Sequence, residues 1–360
     1  MQMINQTIPS NTEDRHAGET ASLPEEFRAA LRDHALAPLW DFLKAALPHG
    51  RPAGVTRPHR WRYADVRPLL LEAGRLVPVA QAERRVIVLS DPGRGPNAMS
   101  ATGTLYAGIQ LLLPGETAPT HRHSPSAARI VIEGRGGFTV VNGQRCEMER
   151  GDIILTPGGQ WHDHGHDGEG PVTWLDVLDL PVFTAAESAY AEGGHDGCNA
   201  EEPLMTLTSE LLRQGLRPPR AWRCENPYPM LRYPWQTARA ALERLAAATG
   251  QACAELAYVN PENGQDCLPV LGFTAMMIGP DQHWQAVPTS ASTVFHVVEG
   301  SGESRVDDHV FDWSAGDTFS ATTFASVSHR ATPGQPAFLI RVDDAPLQKK
   351  LGFFQERQLA

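Results

Sequence analysis

The sequence has no basis for a disulfide framework. Its five cysteines, Cys146, Cys198, Cys224, Cys253 and Cys267, are odd in number and form no CxxC pair. That excludes a stapled secreted scaffold and points to free thiols in a reducing compartment. Positive charge is also scarce. Against 42 Asp and Glu stand 31 Lys and Arg, a formal net charge of -11, which argues against a general nucleic-acid or membrane-surface binder. An anionic small molecule would need its positive field locally, from arginines inside a pocket. No apolar run is long enough to cross a bilayer. The opening MQMINQTIPSNTEDRH is polar and lacks the apolar core of a secretory signal. The expected location is the cytoplasm.

What is plentiful is turn chemistry: 32 Gly and 29 Pro, with 41% apolar residues in a chain of 360. This suits an all-β architecture with a real core, in two or three domains. Residues 1 to about 22 read as an arm. From Pro24 to Leu47, Phe27, Leu31, Leu39, Trp40 and Leu43 recur at helical spacing. Short β-like runs then follow, among them RRVIVLS, LYAGIQLLL, RIVIEG, GFTVVNG and DIILTP. The expected division is 1-75 for the arm and helices, 76-185 for a first barrel, 186-260 for a helix and loop linker, 261-347 for a second barrel and 348-360 for a tail. The second barrel is expected because the pattern repeats. IVIEGRGGFTVVNG is echoed by FHVVEGSGESRVDD, and GDIILTPGGQWHDH by GDTFSATTFASVSH.

The chemistry concentrates in the first copy. His121 and His123 are two apart, so on a strand they share a face, and His162 would arrive from a neighbouring strand. Three neutral imidazoles hold a divalent first-row metal and leave positions open. With Gly115, Gly134, Gly151, Pro157 and Gly159 in register, residues 115 to 166 resemble the two cupin motifs. The general cupin pattern has a Glu four residues after the second histidine, where this chain has Ala127. A three-histidine site without a carboxylate disfavours a manganese decarboxylase and favours a chelating organic substrate plus O2 on iron(II). In the second copy His283 falls near one ligand slot, Gln285 stands two residues later, and the second motif retains His329. The C-terminal barrel is therefore expected to be metal-free.

TLYAGIQLLLPGETAPTHRHSPSAARIVIEG, VVNGQRCEMERGDIILTPGGQWHDHGH, WLDVLDLP and the later YVNPENG resemble the gentisate 1,2-dioxygenase group of bicupin ring-cleaving enzymes, which includes salicylate and 1-hydroxy-2-naphthoate dioxygenases. The resemblance spans most of the chain. It implies a mainly β bicupin, two double-stranded β-helix barrels with a helical N-terminal extension and a helical inter-barrel linker. It also implies a homotetramer and Fe(2+) held by His121, His123 and His162. The implied reaction inserts O2 between the carboxyl- and hydroxyl-bearing carbons of a 2-hydroxybenzoate, with gentisate giving maleylpyruvate. Salicylate, halo- or nitrosalicylates and 1-hydroxy-2-naphthoate are the alternative substrates, and a non-catalytic ligand-binding cupin is the alternative class.

By the same resemblance Arg129 takes the substrate carboxylate, and Arg84 matches a second substrate arginine, with Arg85 beside it leaving the register open. Tyr106 and Gln110 become pocket-lining residues. His164, two after His162, is placed to hydrogen-bond substrate and act as acid or base. Asp176, in WLD, would orient His164 or a ligand imidazole. Ile130, Val177 and GGQW depart from the group's pattern and are expected to reshape the pocket wall.

Overall fold

The computed structural model describes residues 23–95, 97–219 and 228–357, and β-strands are the commonest element among them. The arm at 1–22, Cys224 and the last three residues of the tail lie outside the described residues. Among the described residues, the stretch up to residue 53 and that from residue 54 onward form two compact units. In the first, the stretch expected as one helical segment is two helices, Glu25–Asp33 and Leu39–Ala46. Ala35 takes a positive φ between them and Pro38 precedes the second, which interrupts the backbone hydrogen bonding. Arg28 pairs with Asp41 across the two at 3.2 Å.

The second unit contains two barrels, each made of two facing sheets. In the first barrel one sheet runs Arg232–Tyr233, Ile153–Thr156, Ala127–Glu133, Val172–Leu178, Tyr106–Leu112 and Val86–Val88. Its partner runs Ala191–Gly193, Thr117–His123, His162–His166, Gly137–Val141 and Gln144–Glu147. The second barrel repeats this with Arg60–Trp61, Thr318–Ala321, Thr293–Glu299, Ala337–Asp343, Gly272–Ile278 and Cys253–Ala257 facing His283–Gln285, Val327–Ala331, Ser301–Val306 and His309–Ser314. All strand pairs are antiparallel, so alternate residues divide between the barrel interior and the opposite face. The mainly β bicupin architecture follows directly from these sheets.

The expected boundaries shift at two places. Cys253–Ala257, assigned to the linker, hydrogen-bonds along Gly272–Ile278 and is an edge strand of the second barrel. More consequential is an exchange between the barrels. Arg60–Trp61 precedes the first barrel in sequence but pairs with the second. Arg232–Tyr233 precedes the second but pairs with the first. A helix follows each short strand, Tyr63–Leu76 and Trp235–Thr249.

Both helices are tied at their N-termini in the same way. Asp317 of the second barrel accepts the Tyr63 backbone N–H at 2.8 Å, and Asp152 of the first accepts that of Trp235 at 2.9 Å. These are N–H groups that a helix cannot satisfy internally. One turn on, Arg67 grips Glu133 of the first barrel and Arg239 grips Glu299 of the second, each at 2.9 Å. Each helix thus bridges both barrels. The approach is close: Gly151 has φ +83°, and a Cβ there would sit 2.5 Å from the Trp235 ring. Only glycine fits.

Candidate metal centre

His121 and His123 lie on Thr117–His123, and His162 lies opposite on His162–His166, where it is the register partner of His121. All three are buried. Their ligand atoms fall within 4.8 Å of one another, and this is the only such group of three found among the described residues. The ring centroids of His121 and His162 are 4.0 Å apart and those of His123 and His162 are 4.8 Å apart.

The backbone fixes which nitrogen faces inward. Each Nδ1 lies against a carbonyl two residues away: His121 on Pro119 at 2.8 Å, His123 on Pro125 at 2.7 Å and His162 on Gln160 at 3.0 Å. A carbonyl only accepts, so each Nδ1 carries the proton and each Nε2 turns a lone pair inward. Burial, reinforced by the nearby arginines, pushes the His121 pKa down to about 3 and His123 to about 4. Burial also drives His162 well below its ordinary value. The rings are neutral, which is the form a metal needs. The Nε2 of His162 is buried without any hydrogen-bond partner, the unmet valence a cation would fill. The residues fit a divalent first-row metal.

Beside the triad lies a charged network. Arg129, fully interior, donates from Nη1 to Thr156 Oγ1 and from Nη2 to His164 Nε2 at 3.0 Å, and its Nε is 3.3 Å from Asp176. Because the guanidinium can only donate, His164 Nε2 accepts, and His164 Nδ1 donates to Thr139 Oγ1 at 2.8 Å. Both ring nitrogens of His164 are committed. Asp176 does not touch an imidazole, contrary to expectation. It pairs with Arg129 and accepts the Trp174 indole N–H at 3.0 Å, because the register sets Asp176 directly opposite Arg129. Thr139 and Thr156 were not singled out in the sequence, since a hydroxyl on a β-strand belongs to no motif.

The choice between the adjacent arginines has a geometric answer. Arg84 donates from Nη1 to His121 Nε2 at 3.0 Å, a lone pair it releases when a metal is held there. Arg85 turns away, bonded to the carbonyls of Gly74 and Val77 and ion-paired with Glu116. Tyr106 is buried, and burial with the nearby Asp176 charge pushes its hydroxyl pKa up. A Cβ on Gly108 would lie 2.6 Å from the Tyr106 hydroxyl and 2.7 Å from Val86, so a glycine makes room for the ring. Gln110 is buried with Nε2 unpartnered.

Ile130 and Val177 do not form the pocket wall. Each follows an interior residue, Arg129 or Asp176, so the alternation turns it to the other face, where both join the hydrophobic core. His166 is buried, closing a turn through the Gly170 carbonyl and the Gly168 N–H.

The second barrel lacks the donors. Ser304 pairs with His329 as Thr139 pairs with His164. His329 therefore stands at the register of His164 rather than of a ligand. The His162 position is Val327, whose carbonyl accepts the Ala286 N–H. His283 is exposed, on the face opposite Trp284.

Comparison with known proteins agrees with this architecture. The cupin-domain family matches residues 108–178. A gentisate 1,2-dioxygenase from a Ralstonia species is 44% identical over 96% of this chain and 98% of its own. A 5-aminosalicylate 1,2-dioxygenase from a Comamonas species is 34% identical over 90% of this chain and 87% of its own. Among solved structures, salicylate 1,2-dioxygenase from Pseudoaminobacter salicylatoxidans with gentisate superposes with a TM-score of 0.85, at 32% identity, covering 94% of this chain and 95% of that one.

Proposed function

This chain belongs to the gentisate 1,2-dioxygenase family of bicupin ring-cleaving enzymes, and from that premise we propose that it is an iron(II) enzyme converting gentisate and O2 to maleylpyruvate. The observation that carries the reading is the convergence of three neutral Nε2 lone pairs beside two arginines. His121, His123 and His162 hold the metal. When bound, iron(II) supplies Lewis acidity, redox chemistry toward O2 and open positions for a chelating carboxylate and ortho-oxygen.

The remaining work falls to this chain's side chains. Arg129 and Arg84 take the substrate carboxylate, because a guanidinium meets it with a planar fork. Asp176, Thr156 and His164 hold Arg129 at a fixed angle, so little is spent on orienting it. Gln110 offers its unpartnered N–H to a substrate oxygen, and Tyr106, beside Gly108, bounds the ring. His164 acts here as an acceptor for Arg129. The acid–base role expected of it requires Arg129 to release Nε2 when the carboxylate binds. The dense lining of buried residues excludes bulk water, which strengthens each of these contacts. The assembly is a homotetramer of cytoplasmic chains, a reading supported by the family resemblance and by free cysteines at 146, 198, 253 and 267.

The test is an oxygen-electrode screen of the iron(II)-loaded protein across gentisate, 5-aminosalicylate, salicylate, halo- or nitrosalicylates and 1-hydroxy-2-naphthoate. Uptake is expected with gentisate, one O2 per ring opened. Faster turnover of another member would reassign the substrate, and no uptake with any of them would leave a binding protein.

A further inference from the structure

The second barrel lacks the histidine triad but holds a cavity. A space of about 450 Å3 lies where strands of its two sheets face one another. Its lining falls at the register of the first barrel's centre. Phe295 pairs with Arg341 as Arg129 pairs with Asp176. Val327 stands for His162, and Thr274, opposite Arg341, stands for Gly108. A barrel that had simply decayed would be expected to close this space, since an unfilled interior costs stability. Here the small side chains Ala286, Ala321, Ala325 and Val327 keep it open.

The lining has a definite chemistry. Trp284 lines one side, its indole stacked on His329 at 4.8 Å and 7°. Phe295 lines another, edge-on to the same imidazole. Elsewhere in the lining Arg341 meets Glu255 and Thr274, each at 3.1 Å, and Asp343 at 3.4 Å. Glu255 also accepts the Trp284 indole N–H. Four carboxylates border the space, Glu255, Asp266, Asp343 and Glu356, against the two cations Arg341 and Lys349. The first centre has the reverse balance, Arg84 and Arg129 against Asp176. A carboxylate ligand is therefore repelled where the first barrel would attract one. Aromatic walls, room for one ring and carboxylate acceptors in the lining fit a ring that brings a donor and no charge.

We propose that the C-terminal barrel is a second ligand site, which takes a small uncharged hydroxylated aromatic ring, a phenol without a carboxylate. It is separate from the metal centre and does not depend on metal.

The test uses the full-length protein and 4-fluorophenol followed by fluorine NMR. Wild type and His162→Ala should shift and broaden the signal alike, because the metal centre is not involved. Ala325→Leu, which fills the space, should weaken binding at least about tenfold at unchanged melting temperature, roughly the effect of losing one well-made apolar contact. Val327→Leu serves if Ala325→Leu melts lower. Equimolar benzoate should not displace the probe. The proposal fails if the wild type leaves the signal unchanged at millimolar protein and probe, or if both cavity-filling variants bind as well as wild type. Loss of binding in His162→Ala would also overturn it, by placing the ring in the first barrel. Displacement by benzoate, or preference for benzylammonium, would overturn the charge argument.

Discussion

The two barrels share one backbone plan and part company at a handful of interior positions. Both place a hydroxyl–imidazole pair at the same register, Thr139 with His164 and Ser304 with His329, at 2.8 and 2.7 Å. Both cap a helix of the crossing arms with an aspartate, Asp152 and Asp317. The difference lies in who sits opposite. In the first barrel the imidazole accepts from Arg129, and neighbouring positions carry three metal-competent nitrogens. In the second, Phe295 replaces the arginine, and His329 Nε2 is buried without a partner. Fold and chemistry are therefore separable: the second barrel keeps the frame without the histidine triad, because the frame is built from sheet pairing and the crossing helices rather than from the centre.

The largest expected effect comes from removing a ligand. His162→Ala should lose metal affinity by more than the roughly 10–100-fold that follows loss of a partner outside the coordination sphere, and with it oxygen uptake. The converse change, Val327→His, should add no second metal to the one held by the first barrel, because Ala286 supplies no companion. Metal titration of the two variants checks both halves, and capture of a second equivalent by Val327→His would break the contrast between the barrels.

Next in size is the arginine. Arg129→Ala should keep its metal yet raise KM for the aromatic carboxylate by a factor on the order of 10², as when one partner of a buried charge pair is cut away. Arg129→Lys retains the charge but not the fork and should fall between. An unchanged KM would remove Arg129 from the substrate site.

The crossing arms predict likeness where the centres predict contrast. Asp152→Ala and Asp317→Ala each strand a helix N-terminal N–H, at about 1–3 kcal/mol. Both should lower the melting temperature within one cooperative transition, Asp152→Ala by more, because Asp152 also holds Arg232 at 2.6 Å. Separate melting of one barrel in calorimetry would show that the exchange does not couple them.

The smallest effect is in pH dependence. Burial pushes Asp179 in the first barrel and Asp343 in the second up to about 6. A carboxyl whose folded pKa is raised holds its proton longer folded than unfolded, so stability is greatest below 3.8 and declines as pH rises toward about 6. Asp343→Asn should flatten that decline, measured as denaturation midpoints from pH 4 to 6. An unaltered slope would mean that the carboxyl titrates normally.

Much of this was legible in the residues. Two histidines two apart, a third after a GD turn and an arginine of matching parity locate the centre without coordinates, because strand alternation converts spacing into facing. Ile130 and Val177 were misplaced by the same rule: each stands one residue beyond an interior side chain and so points away. Cross-strand register is not written in a single strand, so Thr139, Thr156 and the true partner of Asp176 stayed hidden, as did the standing of His329. The crossing arms did leave a trace. Arg60, Tyr63 and Arg67 are spaced as Arg232, Trp235 and Arg239, and extending the repeat beyond the barrels would have found them.

The proposed function requires one metal per chain, held by His121, His123 and His162 in the first barrel. Native mass spectrometry of the iron(II)-loaded protein tests it most directly. One iron per chain in the wild type and none in His162→Ala is the predicted result. Two irons per chain, or one retained in the variant, would contradict it.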